Sequence, residues 1–253
     1  MSGQPAAGRK RIMKQLFLTS SPFLGEGKPF TEKNRFLERF SECGARNRKA
    51  LMITSTPADI EHTEEHASAI RETMALSGIF FENYSILDSR NKEQAKALVE
   101  HSDFIILGGG HVPTQNAFFT EIGLRDLMKH FDGTVFGISA GSMNAADVVY
   151  AQPEEEGESV DPEYKRFLKG LNLTKCMLLP HYQEVRERML DGKRLFEDIT
   201  YPDSCGRQFI ALCDESYLYA DGTDERICGE AYLIKDGKIK KICDTGEEYR
   251  LSS

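Results

Sequence analysis

The chain has 253 residues, of which 40% are hydrophobic and 28% are charged, a composition typical of an ordinary globular protein with one large domain. Its formal net charge of -8 argues against nucleic acid or an anionic membrane as the main partner, because phosphate groups are bound by basic surfaces. The six cysteines are scattered and include no CxxC pair, which predicts free thiols, a reducing compartment and a cytoplasmic protein.

The first segment has basic residues but no apolar stretch behind them, so we expect no targeting signal, and we expect roughly the first ten residues to be disordered. Strands and helices then alternate. The hydrophobic patterns predict strands at 14–20, 49–54, 79–87, 103–107 and 134–138, with helices at 31–43, 59–77, 91–101 and 115–130 between them. This order predicts an α/β fold with a mainly parallel, doubly wound sheet and flanking helices.

The second half is less regular. An acidic stretch at 151–163 is expected to be a surface excursion, and the patterns then predict a strand at 173–179, a helix at 184–199 and a strand at 208–213. The pair Asp236-Gly237 lies between alternating runs, which indicates a β-hairpin. We therefore predict an α/β domain over residues 12–221 and a C-terminal antiparallel β extension over residues 222–253, packed on the same domain.

A candidate nucleophile directly follows the strand at 134–138. Gly137-Ile138-Ser139-Ala140-Gly141 matches the GxSxG pattern and leads into a helical stretch. In such a sharp strand-to-helix turn, small neighbours allow a strained serine to expose its Oγ above the sheet. GxSxG alone is a weak signal and could mark a simple turn, but the strand-turn-helix context favours catalysis.

A glycine run ends the preceding strand and should lie beside this serine. We expect the N–H groups of Gly109 or Gly110, with that of Ala140, to form an oxyanion hole, because glycine lets the backbone approach a developing negative charge. A phosphate-binding turn is the alternative, but the run lacks the lysine and the spacing of a P-loop.

The candidate base is His181, which follows a predicted buried strand at the edge of the sheet where ligands bind. His62 and His66 are spaced as a metal pair on a helix, but the order HTEEH is not that of zinc peptidases, and a solvated helix face explains it better. We therefore predict no metal and no cofactor.

The acid that orients His181 is harder to assign. Glu215 ends the strand after His181, and we favour it by position. Asp214 is expected to point the other way. Asp147 and Glu154 follow the serine and remain rivals.

Together these motifs point to a family. The stretches LGGGHVPTQN, FGISAGSMNAA, LLPHY and ALCDES resemble the peptidase E family of aspartyl dipeptidases and their cyanophycinase relatives, in order and spacing. The order of serine, histidine and acid also differs from that of α/β-hydrolases, whose acid precedes the histidine. The resemblance implies a fold like that of class I glutamine amidotransferases and a serine peptidase that cuts short peptides, especially dipeptides with N-terminal aspartate.

An acidic substrate needs a cationic partner. Arg194, Arg186 and Arg188 are candidates, and His111 is a candidate substrate contact. A cyanophycinase-like or other amidase or esterase, and an inactive amidotransferase-like binding protein, are the alternatives. The expected partner is a small peptide, for a monomer or a homodimer.

Overall fold

The structure, a computed structural model, describes residues 14–44, 49–222 and 224–251. The start of the predicted domain at residue 12 and the N-terminal segment expected to be disordered lie outside the described residues. Among the described residues, no helix is long and apolar enough to cross a membrane.

The strands are β1 (Gln15–Thr19), β2 (Lys49–Ile53), β3 (Asn83–Leu87), β4 (Phe104–Leu107), β5 (Thr134–Ile138), β6 (Val148–Tyr150), β7 (Phe167–Lys169), β8 (Met177–Leu179), β9 (Met189–Leu190), β10 (Lys193–Arg194), β11 (Gln208–Leu212), β12 (Tyr217–Asp221), β13 (Asp224–Cys228), β14 (Ala231–Lys235), β15 (Lys238–Cys243) and β16 (Glu248–Arg250). The α-helices are α1 (Phe36–Gly44), α2 (Ile60–Leu76), α3 (Ala95–Glu100), α4 (Val112–Glu121), α5 (Leu124–Leu127), α6 (Ala140–Asn144), α7 (Tyr182–Val185) and α8 (Tyr201–Asp203). Short 3-10 turns precede α1 and α3 at Lys33–Arg35 and Lys92–Gln94, and a π-helix spans Leu195–Thr200.

The central sheet confirms the predicted α/β fold. In the described part of the chain it has eight strands in the order β16-β13-β12-β1-β5-β4-β2-β3. Within this order, the five strands β1, β5, β4, β2 and β3 pair with one another in parallel. Every residue of β4 and β5 is buried, as expected for parallel strands covered on both faces. Because these strands are parallel, the carboxyl ends of β1, β4 and β5 lie at one edge of the sheet. Ser139 directly follows β5 at this edge.

The C-terminal strands are divided between two sheets. β12, β13 and β16 extend the central sheet with antiparallel pairing. β14 and β15 form the hairpin predicted at Asp236-Gly237. β14 also pairs with β11, which is itself parallel to β8. The strands within residues 224–250 therefore extend both sheets rather than forming a sheet of their own.

Local signals fixed several element ends. The carboxylate of Asp59 accepts a hydrogen bond from the His62 N–H at 3.1 Å and so caps α2, as predicted, and Gly78 follows the helix with φ of +77°. The predicted helix at 115–130 is instead divided into α4 and α5 by Gly123, whose φ is +63°.

The helix predicted at 184–199 is wrong. α7 ends at Val185, and the following residues form a short hairpin of β9 and β10 before the π-helix. Asp191 and Gly192 both have positive φ, at +51° and +77°, and they turn this hairpin. Asp191-Gly192 is the same kind of Asp-Gly pair as Asp236-Gly237 and is typical of a hairpin turn, a signal that the helix prediction did not take into account.

Candidate active site

Ser139 lies in a strained turn between β5 and α6. Its φ of +47° and ψ of -110° are rare for a residue with a side chain. The turn is held from β1, since the Ser139 N–H donates to the carbonyls of Thr19 at 3.1 Å and Ser20 at 3.2 Å. The surrounding structure therefore fixes a backbone conformation that the serine would not adopt by itself.

The two glycines of the GxSxG motif permit close packing of this turn. A Cβ on Gly141 would overlap the Leu107 carbonyl at the end of β4. A Cβ on Gly137 would lie 3.0 Å from the backbone of Ser142, closer than ordinary contact. Any larger residue would push α6 away from the sheet, so both positions require glycine for packing and Gly137 also keeps the turn tight.

The glycine loop after β4 lies directly against the serine. A Cβ built on Gly109 would come 3.6 Å from the Ser139 Cβ, and Gly110 has a φ of +143°. The Ser55 hydroxyl donates to the Gly109 carbonyl. Among the described residues, no acceptor is paired with the N–H of Gly109 or Gly110. These two amides are therefore available to a ligand beside Ser139.

A buried amide network fixes this loop relative to α6. The Gln115 side chain donates to the Gly108 carbonyl at 2.7 Å, and the Asn144 amide donates to the Gln115 side chain at 3.0 Å. Asn116 in turn donates to Asn144 at 2.9 Å. The polar residues of the two motifs thus join the glycine loop to the helix that follows Ser139.

His181 is within hydrogen-bond distance of Ser139, as the sequence predicted. Its Nε2 lies 2.9 Å from the Ser139 Oγ. His181 follows β8 in the left-handed region, with φ of +58° and ψ of +31°, and its N–H donates to the Ser20 Oγ at 2.8 Å. The backbone of His181 is therefore anchored at the end of β1. The same strand end accepts the hydrogen bonds from the Ser139 N–H.

Asp214 is the carboxylate that contacts His181. Its Oδ1 lies 2.8 Å from the His181 Nδ1, the ring nitrogen that faces away from Ser139. The Ser20 hydroxyl donates to the same oxygen at 2.6 Å. Gln183 donates to Oδ2 at 2.7 Å and accepts the Asp214 N–H at 3.0 Å. Ser20 and Gln183 thus orient this carboxylate toward the imidazole.

The expectation that Glu215 contacts His181 is wrong. The Glu215 carboxylate accepts hydrogen bonds from the Thr31 hydroxyl and from Lys33, the latter at 2.7 Å, on the far side of the strand end. β11 ends at Leu212, so the alternation of sides within a strand does not extend to Asp214 and Glu215. Glu215 has a φ of +67°, which turns its side chain away from the serine.

The remaining rival acids have other partners. Asp147 binds Lys175 and Arg125, each at 2.6 Å, and so does not reach His181. Glu154 lies near Ser139 and His181 but accepts no hydrogen bond on its carboxylate from the described residues.

Electrostatics match a histidine that accepts a proton. Burial lowers the pKa of His181, but the hydrogen bond and the negative charge of Asp214 outweigh it, so the pKa lies above its ordinary value. Burial disfavours ionised Asp214, yet the hydrogen bonds from His181 and Ser20 hold its pKa below the ordinary value. The pair therefore has a charged carboxylate beside an imidazole whose protonated form is stabilised.

A cavity of about 170 Å³ opens at Ser139 and His181. Glu154, Glu184 and Arg188 supply its other charged side chains. Its apolar lining comes from Met143, Leu179, Pro180, Val185 and Leu195. This is smaller than the cavities of about 300–1,000 Å³ that take drug-sized ligands. The cavity therefore suits a small group rather than a long peptide.

The two predicted substrate contacts lie outside the lining of this cavity. Arg194 is paired with Asp198 at 2.7 Å on the exposed surface. His111 is held between Thr114 at 2.8 Å and Glu158 at 2.7 Å. Of the three arginines considered from the sequence, Arg188 lines the cavity. The predicted helix at 184–199 misplaced this group, because the hairpin of β9 and β10 carries Arg194 away.

Two groups of described residues have the geometry to hold a metal ion. One comprises His111, Glu155 and Glu158, and the other comprises His181, Glu184 and Asp214. In both groups the histidine is already hydrogen-bonded to a carboxylate of the same group. His62 and His66 stack with ring centroids 6.1 Å apart and belong to neither group.

Sequence reasoning missed Ser20 and Gln183, and it set Asp214 aside. Ser20 lies in a Thr-Ser-Ser run at the carboxyl end of a predicted buried strand, a position that marks the ligand-binding edge. That signal was available. Nothing in the sequence around Gln183 indicates that its side chain hydrogen-bonds to Asp214, 31 positions away.

Comparisons with known proteins identify the family and the fold. The model of peptidase family S51 matches residues 16–228. Among solved structures, a 1.5 Å crystal structure of a candidate peptidase E protein from Listeria monocytogenes EGD-e is similar, with a TM-score of 0.57 and 17% identity over 91% of this chain and 100% of that one. At that identity the likeness concerns the fold. No curated protein matches the sequence.

Proposed function

Because the chain belongs to peptidase family S51 and is a serine peptidase, we propose that it hydrolyses dipeptides with an N-terminal aspartate through an acyl-enzyme on Ser139. The observation that carries this proposal is the continuous relay from the Ser139 Oγ through His181 to Asp214, with contacts of 2.9 Å and 2.8 Å. A nucleophile, a base and an orienting acid in hydrogen-bond contact are the requirements of this chemistry.

The first half of the reaction follows from the geometry. Asp214 accepts the Nδ1–H of His181, which leaves Nε2 unprotonated and able to take the Ser139 proton. The serine oxygen attacks the peptide carbonyl carbon. The N–H groups of Gly109, Gly110 and Ala140 would bind the resulting oxyanion, since the glycine loop adjoins Ser139.

The second half returns the proton. The imidazolium of His181 protonates the leaving amine, the C–N bond breaks, and the acyl group remains on Ser139. His181 then takes a proton from the water that attacks the acyl carbonyl, and it returns this proton to the Ser139 oxygen as the acyl C–O bond breaks and the free acid leaves. No step requires a group other than the side chains and amides of this edge of the sheet.

The preference for aspartate rests on charge in the cavity. Arg188 lines the same cavity as Ser139 and is the guanidinium that an acidic side chain entering it would meet. Its guanidinium donates to the Glu154 carbonyl at 2.6 Å, which holds one end of it and leaves other N–H groups for a carboxylate. The cytoplasmic location and the monomeric or homodimeric state remain predictions from the sequence.

The test combines a covalent probe with a substrate panel. A fluorophosphonate probe should label Ser139 in the wild-type protein and not in Ser139→Ala. Asp-Leu should be hydrolysed in preference to Ala-Leu and Leu-Leu, and Arg188→Ala should reduce that preference. Labelling without hydrolysis of any dipeptide would contradict a dipeptidase, and equal hydrolysis of all three would contradict the aspartate preference alone. No labelling and no hydrolysis would instead support the inactive binding protein.

A further inference from the structure

We propose that Glu154 binds the free α-ammonium group of the substrate, so that the enzyme acts only at an unblocked N-terminus. This inference rests on the proposed function and adds to it a group that reads the end of the chain. It assigns a role to the acidic stretch at 151–163, which the sequence indicated only as a surface excursion.

Glu154 is held in place by its backbone. Its N–H donates to the Glu158 carboxylate at 2.8 Å, and its carbonyl accepts from Arg188 at 2.6 Å. Glu158 is itself fixed by His111. The loop is also tied to the β9-β10 turn, where the Asp191 carboxylate accepts the Gly157 and Ser159 N–H groups at 2.8 Å and 3.1 Å. The backbone of Glu154 is thus fixed beside the cavity that this residue lines.

The Glu154 carboxylate has no hydrogen-bond partner among the described residues, although it is half-buried beside Ser139 and His181. The other anions near it are engaged: Glu158 with His111, and Asp214 with His181, Ser20 and Gln183. Burial raises the pKa of Glu154, and the positive charges of His111, Arg188 and His181 nearby do not fully offset this effect. A cation supplied by the substrate would do so.

The size of the cavity favours an α-ammonium over a side-chain ammonium. The cavity of about 170 Å³ is small and adjoins Ser139, so the residue whose carbonyl Ser139 attacks is the one that enters it. In a dipeptide that residue is the N-terminal one, and its amine is bonded to the carbon next to the attacked carbonyl. Glu154 and Ser139 line the same cavity, so one small residue can present both groups.

Glu184 is the other carboxylate of the lining, and it differs in exposure. It lies in the first turn of α7 on the exposed surface, where water can solvate it. An exposed carboxylate gains little from an ammonium partner because both ions are well hydrated. The half-buried Glu154 is stabilised more by an ammonium partner. Replacement by glutamine should therefore impair hydrolysis at Glu154 and have little effect at Glu184.

The experiment compares free and acetylated substrates. Wild type should hydrolyse Asp-Leu with a kcat/KM about 100-fold above that for N-acetyl-Asp-Leu, as expected for losing a hydrogen-bonded charge pair. Glu154→Gln should lower kcat/KM for Asp-Leu about 10- to 100-fold, mainly through KM, and should leave N-acetyl-Asp-Leu nearly unchanged. The matched control Glu156→Gln removes the same charge from an exposed position of the same loop and should behave as wild type.

Two further measurements distinguish binding of the α-ammonium from damage to the relay and from binding of a side-chain ammonium. Glu154→Gln should still label Ser139 with a neutral fluorophosphonate, because the contacts of His181 with Ser139 and Asp214 are intact. Asp-Lys carries a side-chain ammonium. If Glu154→Gln hydrolyses Asp-Lys more slowly than wild type but Asp-Leu at the wild-type rate, the carboxylate binds the side chain of the second residue and the inference is wrong. Loss with Glu184→Gln instead, or equal loss on free and acetylated substrates, would also overturn it.

Failure of the Glu154 role and failure of the proposed function give different results. Equal hydrolysis of the free and acetylated forms overturns the role of Glu154 and leaves a serine peptidase. Hydrolysis of Ala-Leu but not Asp-Leu overturns the aspartate preference, and the acetylated pair is then made on Ala-Leu. If no dipeptide is hydrolysed, the proposed function and this inference are both wrong.

Discussion

Replacing Asp214 by asparagine tests the assignment of the orienting acid. The substitution keeps the shape of the side chain but removes its charge. Unit charges about 4 Å apart interact by about 4 kcal/mol at an effective dielectric constant of 20, which corresponds to about a thousandfold in rate. Because the His181 and Asp214 side chains are 31% and 28% exposed, solvent screening reduces this contribution to roughly a hundredfold.

The structure adds a second loss through the tautomer of His181. Gln183 donates to Oδ2 and accepts the Asp214 N–H, so its amide orientation is fixed. In Asp214→Asn the new NH₂ group avoids this donor and turns toward His181, where it donates to Nδ1. The proton of the neutral ring then moves to Nε2, which can no longer accept from Ser139. Together the two effects predict a fall in kcat of about 10³-fold or more with little change in KM.

The assay is the pH dependence of hydrolysis in the two proteins. His181 must be neutral to act as base, and its pKa is raised, so wild-type activity should fall as the pH drops through a value above about 6.5. In Asp214→Asn the residual activity should persist to lower pH, because the negative charge that raises the pKa of His181 is gone. Glu215→Gln is the control and should keep wild-type kcat, because Glu215 binds Thr31 and Lys33. If Glu215→Gln is the inactive variant and Asp214→Asn is mild, this reasoning is refuted.

Four further predictions concern the same edge of the sheet. Ser20→Ala removes the hydroxyl that bridges His181 and Asp214, so kcat should fall about tenfold at constant KM while Ser21→Ala stays near wild type; an unchanged kcat would show that the bridge is dispensable. Ser139→Gly relieves a strained φ of +47° and should melt about 2–5 °C above Ser139→Ala, and a lower melting temperature would contradict the strain. Gly141→Ala forces a methyl group into the Leu107 carbonyl and should lower the free energy of unfolding by about 1–3 kcal/mol in urea titrations, whereas a neutral effect would mean that the turn adjusts freely. Hydrolysis should survive exhaustive EDTA treatment, and inactivation with recovery on adding zinc would instead indicate a metal enzyme.

Local signals in the sequence were enough for the main elements of the fold. Alternating strand and helix patterns predicted the parallel sheet, and the Asp236-Gly237 pair predicted the β14-β15 hairpin, because both depend on residues close together in the chain. The failure at 184–199 has the same origin. The sequence pattern there indicated a helix, but Asp191 and Gly192 adopt positive φ and reverse the chain. The apolar residues Leu195, Phe196 and Ile199 are buried in the π-helix that follows.

The serine and the histidine were predictable because each ends a buried strand, and parallel strands place their carboxyl ends along one edge. The acid was not. Asp214 and Glu215 are adjacent, and the choice between them depends on a turn outside β11 in which Glu215 has a φ of +67°. Ser20 lies 161 residues from His181 and 194 from Asp214, so its bridging contacts exist only once β1 is placed between β5 and β12. The sequence therefore determined which strand ends bring Ser139 and His181 to one edge, whereas only the tertiary structure decided which neighbouring side chain turns toward the histidine, since that choice depends on backbone torsions and distant contacts.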